Sequence, residues 1–258
     1  MTGYQDSSTA AGLRIRGLHK RFGDTTAVDG IDLTVPRGSF YGLVGPNGAG
    51  KTTTLAMAVG LLRPDRGTAE VLGADVWREP VAAKARLGVL LDADSLPLRL
   101  TGCELLTYLG LLRGLDGEVV RERCTELLDV LDMTDAGHRL VADYSTGMRK
   151  KIALAAALLH GPEVLVLDEP FEAVDPVSAA TIRSILGGFI RSCGTIVLSS
   201  HVMAIVEQIC DHVAVLAGGE LLAAGPIYDV RGGQSLDEAF ARLVGYSPER
   251  AELSWFAS

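Results

Sequence analysis

Glutamine is almost missing from this chain: none lies between Gln5 and Gln208. Through that whole stretch a contact to water or metal falls to carboxylates and hydroxyls, because no side-chain amide of that length is available. Lysine is scarce as well, at five of the 24 basic residues, so each lysine merits attention. The four cysteines, Cys103, Cys124, Cys193 and Cys210, show no CxxC or CxxH spacing, which argues against a zinc site and for free thiols in a reducing compartment. No apolar run approaches the ~18 residues needed to span a bilayer; the longest, Ile152 to Leu159, is of core-helix length. The amino terminus lacks a basic region followed by an apolar one and is expected to be a loose cytosolic tail rather than a signal peptide. Excess positive charge is missing too: the net charge of −8 argues against a surface built to grip nucleic acid. There is no internal repeat.

What is present is ordinary globular composition, 48% hydrophobic and 22% charged, in 258 residues. That length suits one large domain or one domain with an inserted lobe. Residues 14–22, 31–35, 40–45, 68–73 and 87–92 read as strands, with GDTTAVDG between the first two as a turn. From about Thr101 the pattern becomes helical. Val120, Cys124, Leu127, Leu128 and Leu131 fall on one helical face, and another helix is expected over 146–160. VLVLD (164–168) and TIVLSS (195–200) are fully apolar strands of the kind buried in a parallel sheet, with a helix near 176–192 between them. A hairpin is expected over 213–225 with its turn at Gly218-Gly219, and a short helical tail follows. The fold class is therefore α/β: a core with a mainly parallel sheet plus N-terminal strands, interrupted by an all-helical subdomain. The expected boundaries are a flexible tail at 1–12, core at 13–92, helical subdomain at 93–162, core again at 163–225 and the helical tail at 226–258.

GPNGAGKT (45–52) fits the phosphate-loop pattern at every fixed position and sits between a strand and the apolar segment 52–62, which reads as a helix. Gly45, Gly48 and Gly50 permit backbone angles that turn the loop's N–H groups, those of Asn47 and Ala49 among them, inward around phosphate oxygens, with Pro46, which has no N–H, shaping the same loop. The helix beginning near Lys51, Thr52 and Thr53 adds its dipole and unpaired amides. Lys51 supplies a point charge to the β- and γ-phosphates, and the Thr52 hydroxyl can ligate Mg²⁺. Asp168, ending a buried strand, is placed to hold the same Mg²⁺, and Glu169 beside it to polarise a water as general base or orienter. LLDAD (90–94) raises an open question, since Asp92 and Asp94 could hold a metal, position a water, or mark a strand end.

With these motifs in this order, the chain resembles the ATP-binding subunit of ABC transporters over about residues 13 to 245, and most resembles subunits that serve ABC-2-type exporters. The resemblance implies the P-loop NTPase fold, with N-terminal antiparallel strands beside the parallel sheet. It identifies GPNGAGKT as the Walker A loop and VLVLDE as the Walker B strand. Phe22 in KRFG stands where an aromatic stacks on adenine, and His201 in LSSHV where a histidine senses the γ-phosphate. YSTGM (144–148) stands at the LSGGQ signature, with Ser145 and Gly147 retained and Thr146 and Met148 departing from it. Without the family, that segment reads as a helix capped by Ser145 with a basic surface turn at Arg149, Lys150 and Lys151. In the family, Ser145, Gly147 and the D-loop residue Asp175 would reach the ATP held by a second subunit. Asp92 aligns with a glutamine that contacts Mg²⁺ and the attacking water, and Phe171 replaces a small hydroxyl residue. Implied cofactors are ATP and Mg²⁺. The implied partners are a transmembrane permease and a second copy of the chain or a paralogous ATPase subunit, with no nucleic acid and membrane contact only through the permease. The implied location is cytoplasmic, peripheral on the inner face of the cell membrane. A soluble ATPase of the same class or a low-turnover nucleotide switch are the alternatives.

Overall fold

The computed structural model describes residues 11–91 and 93–245. Three strands are buried at every residue: β3 (Phe40–Val44), β7 (Val164–Asp168) and β8 (Thr195–Ser200). Strands covered on both faces show unbroken apolar runs rather than alternation, and these form the middle of a six-stranded sheet. That sheet runs β10 (Glu220–Pro226), β9 (His212–Ala217), β3, β8, β7, β6 (Leu87–Leu90), parallel except for β10, which forms a hairpin with β9. Successive residues face opposite sides. Leu165 and Leu167 enter a core shared with the helices, whereas Val164 and Val166 enter one shared with the N-terminal strands.

The second sheet is antiparallel, in the order β2 (Thr25–Pro36), β1 (Ala11–Phe22), β4 (Arg66–Val71), β5 (Ala74–Asp75). Here the structure corrects the sequence reading. The expected turn GDTTAVDG is strand from Thr25 onward, and the reversal is confined to Gly23 and Asp24. Thr25, Thr26, Asp29 and Gly30 are exposed on an edge strand, where polar and turn-forming residues are tolerated. Ala11 and Gly12, expected in the tail, already belong to β1.

Between the sheets lies α1 (Lys51–Ala58), shorter than the helix expected over 52–62 because the chain turns at Gly60, φ 74°. α2 (Pro80–Ala85) leads into β6. A helical lobe follows: α3 (Gly102–Leu112), α4 (Gly117–Val130) and α5 (Thr146–Leu158). A Thr101–Glu104 capping box starts α3, Asp116 caps α4 and Ser145 caps α5, each accepting from a first-turn amide. On α4 the expected face is the packed one, with Val120, Cys124, Leu128 and Leu131 buried and Leu127 partly so. The lobe is anchored where α5 crosses β6. There Gly88 allows close approach, since a Cβ would stand 2.2 Å from the Ala157 carbonyl oxygen. The remaining α-helices among the described residues are α6 (Pro176–Arg191), α7 (Met203–Ile209), α8 (Ile227–Arg231) and α9 (Leu236–Leu243).

Candidate functional site

Register decides which side chains meet. Leu167 pairs with Leu198, Asp168 with Ser199, and Val44 with Ser200, so the carboxyl ends of β3, β7 and β8 share one edge of the sheet. Ligands of open α/β sheets bind at that edge. A cleft of about 640 Å³ opens there.

The loop 45–50 leaves β3 and turns back over it. Gly45 (φ 157°) passes so close to β9 that a Cβ would stand 2.2 Å from the Leu216 carbonyl oxygen. Gly50 (φ 95°) would likewise strike the Ala27 carbonyl oxygen at 2.4 Å. Neither position admits a side chain, and both adopt backbone that glycine accepts readily. Lys51 is only 6% exposed, and its ammonium donates to the carbonyls of Gly45 at 2.8 Å and Pro46 at 3.2 Å. The loop thus closes around its own cation. No side chain caps the first turn of α1, so its dipole end and amides face the cleft uncompensated. An electropositive cradle of this kind fits a phosphate chain. Asn47, Gly48, Ala49, Gly50, Lys51, Thr52 and Thr53 all line the cleft.

Beside the cradle, Thr52 Oγ1 donates to Asp168 Oδ2 at 2.6 Å, and Ser199 Oγ donates to Asp168 Oδ1. One hydroxyl and one carboxylate suit Mg²⁺, which binds few protein groups and fills its octahedron with phosphate oxygens and water. Glu169 follows in left-handed backbone, φ 45°. Its carboxylate lies 3.6 Å from Lys51 Nζ and 3.1 Å from His201 Nδ1. The structure therefore brings Lys51, Thr52, Asp168, Glu169 and His201 together.

Phe22 also lines the cleft, half exposed, with Lys20 Nζ 5.6 Å from its ring centroid. Asp92, and the side chain of Asp94, lie outside the described residues. Ser145 is the cap of α5, accepting from the Met148 amide at 3.3 Å, and is exposed. Gly147 is buried beneath the start of α6, where a Cβ would stand 3.5 Å from Asp175 Oδ2. Asp175 caps α6 through the amides of Val177 and Ser178, each at 3.0 Å. Hydrogen bonds from Ser178, chiefly, hold its carboxyl below the usual range.

Three features escaped sequence reasoning. Ser199 bridges Asp168 and Glu169, accepting from the Glu169 amide at 3.0 Å; the polar pair ending TIVLSS was the available signal. The expected basic surface turn is not one, since Lys151 is buried and Lys150 donates to the Glu169 carbonyl at 2.5 Å. Phe171 packs against the main core, which accounts for an aromatic where a small hydroxyl residue was anticipated.

A family model described as "ABC transporter" matches residues 28–172, over half of the chain. The chain belongs to the ABC transporter family. Among its relatives is the daunorubicin/doxorubicin resistance ATP-binding protein DrrA of Streptomyces peucetius, 41% identical over 81% of this chain and 63% of that protein. This ABC chain thus spans less than two thirds of that relative's length. The Nod factor export ATP-binding protein I of Ralstonia nicotianae is 37% identical over 84% of this chain and 68% of its own. The solved ATP binding subunit of an ABC transporter superposes with a TM-score of 0.84 at 27% identity, covering 90% of this chain and 99% of that one. The α/β fold is accordingly that of the ATP-binding subunits of this family.

Proposed function

We propose that this chain binds and hydrolyses ATP to drive a separate transmembrane permease, an exporter, from the cytoplasmic face of the membrane. The observation that supports this most is the meeting of Glu169 with Lys51 and His201 beside the Thr52–Asp168 pair. The loop 45–53 holds the phosphates, Lys51 taking the β- and γ-oxygens, while Phe22 supports the adenine. Thr52 and Asp168 would hold Mg²⁺, which when bound would neutralise charge on the phosphates. Glu169 orients or deprotonates the attacking water, and His201 donates to the γ-phosphate. Ser145, Gly147 and Asp175 serve the ATP of a second subunit in a head-to-tail dimer, a second copy or a paralogue. Closing of that dimer around ATP biases the permease between its two states, and hydrolysis resets it. No helix among the described residues is long and apolar enough to cross a membrane, which accords with a separate permease.

Phosphate release by the purified protein, alone and with its permease in liposomes, tests the reading. Wild type is expected to hydrolyse ATP in a Mg²⁺-dependent manner and to turn over faster with the permease. Glu169→Gln is expected to be at least ~100-fold slower, the scale of a lost general base. Equal rates for wild type and Glu169→Gln would remove the catalytic assignment.

A further inference from the structure

Glu169 is held at every polar atom it has. Its amide donates to Ser199 Oγ at 3.0 Å, and its carboxylate meets Lys51 and His201. Its carbonyl accepts from the Glu172 amide at 3.2 Å and from Lys150 Nζ at 2.5 Å. All of these partners but one come from the core strands, α1 and the loops that follow β7 and β8. Lys150 comes from the second turn of α5, in the helical lobe, and it lines the same cleft as the phosphate loop.

The carbonyl is a sensitive point at which to hold this residue. A left-handed backbone (φ 45°) is disfavoured for glutamate and persists only where surroundings impose it. The direction of the carbonyl fixes the rotation of the peptide that follows, and with the clamped amide it fixes where the Cα–Cβ bond aims the carboxylate. An ammonium on a carbonyl is a charge-assisted hydrogen bond, stronger than the neutral one from Glu172.

We propose that Lys150 is a positioning residue for Glu169, its ammonium holding the Glu169 carbonyl so that the carboxylate faces the water that attacks the γ-phosphate. This rests on the ATPase reading above. It also gives the helix that Ser145 begins a direct grip on the backbone of its own chain's hydrolytic glutamate.

The test compares the full chain carrying Lys150→Met, Lys150→Arg, Glu169→Gln, or Lys150→Met with Glu169→Gln. Steady-state radiolabelled-phosphate release is measured together with binding of a fluorescent ATP analogue and thermal melting. Lys150→Met is expected to lower kcat about tenfold with KM, analogue affinity and melting temperature little changed, and Lys150→Arg to recover most of the rate. The double variant is expected to be no slower than Glu169→Gln alone, because a positioning residue has nothing left to position. An unchanged kcat in Lys150→Met would overturn the proposal. So would a fall in affinity and melting temperature alongside kcat, which marks mere docking of the lobe, or an additive double variant. If Glu169→Gln matches wild type, the ATPase reading falls and takes this proposal with it. If Glu169→Gln is slow while Lys150→Met is not, this proposal falls alone.

Discussion

Acid should unfold this protein partly through one histidine. His160 follows α5 and bonds the Leu87 carbonyl at 3.1 Å, at the point where β6 begins. Burial, with help from the charges of Arg113 and Arg123, pushes its pKa from 6.5 down to about 4, while the Leu87 bond works the other way. Both arginines are tied nearby, Arg113 to the Lys84 carbonyl and Arg123 to the Leu159 carbonyl, each at 2.8 Å, so they do not swing away. Between those two pH values the unfolded chain binds a proton at His160 that the folded chain refuses, and stability falls as the medium is acidified. Such a shift is worth roughly 3 kcal/mol at most, and partial solvent access reduces this to about 2 kcal/mol. The perturbation is His160→Gln, which stays neutral and can still donate to Leu87. Urea unfolding of both proteins, from about pH 7.5 down to about pH 4.5, removes the contribution of every other group by difference. The advantage of wild type over the variant should shrink by about 2 kcal/mol across that range. A difference that stays flat within ~0.5 kcal/mol would refute the reasoning.

Three further outcomes follow from the packing and the site. Ser199→Ala leaves Asp168 Oδ1 without its donor and the Glu169 amide without its acceptor, so stability should fall by about 1–3 kcal/mol by chemical denaturation, with kcat lowered as well. Gly88→Ala drives a methyl toward the Ala157 carbonyl oxygen; calorimetry should show a loss of about 1–3 kcal/mol, and unchanged melting would contradict the close approach of α5 to β6. Phe171→Ala removes a ring that is partly buried against the core, so about 1–3 kcal/mol should be lost in urea melts while nucleotide binding is retained.

How far the sequence could be read depended on whether the cause was local. β3, β7 and β8 are legible because burial on both faces leaves an unbroken apolar run, and the phosphate loop because its glycines answer to backbone geometry within a few residues. The first half of β2 (25–30) was not, since an exposed edge strand tolerates the same Gly, Asp and Thr that mark turns elsewhere, whereas its second half was read at 31–35. Ser199 is invisible until β7 and β8 are set in register, and Lys150 until α5 is docked, because both contacts join elements distant along the chain. Phe171 is explained only by the core it meets.

The alternation of β7 between two cores has a consequence for quality control. A slip of one residue against β8 would turn Leu165 and Leu167 toward the side that Val164 and Val166 now occupy, exchanging the larger and smaller faces of both cores. The same slip would move Asp168 away from Ser199 and leave Glu169 without the hydroxyl that receives its amide. Misregistered chains would therefore lose the arrangement of Asp168, Glu169 and Ser199 as well as being poorly packed. If the chain hydrolyses ATP as proposed, a preparation's rate per molecule then counts correctly folded copies, and variants selected for activity alone are also selected for β7–β8 register.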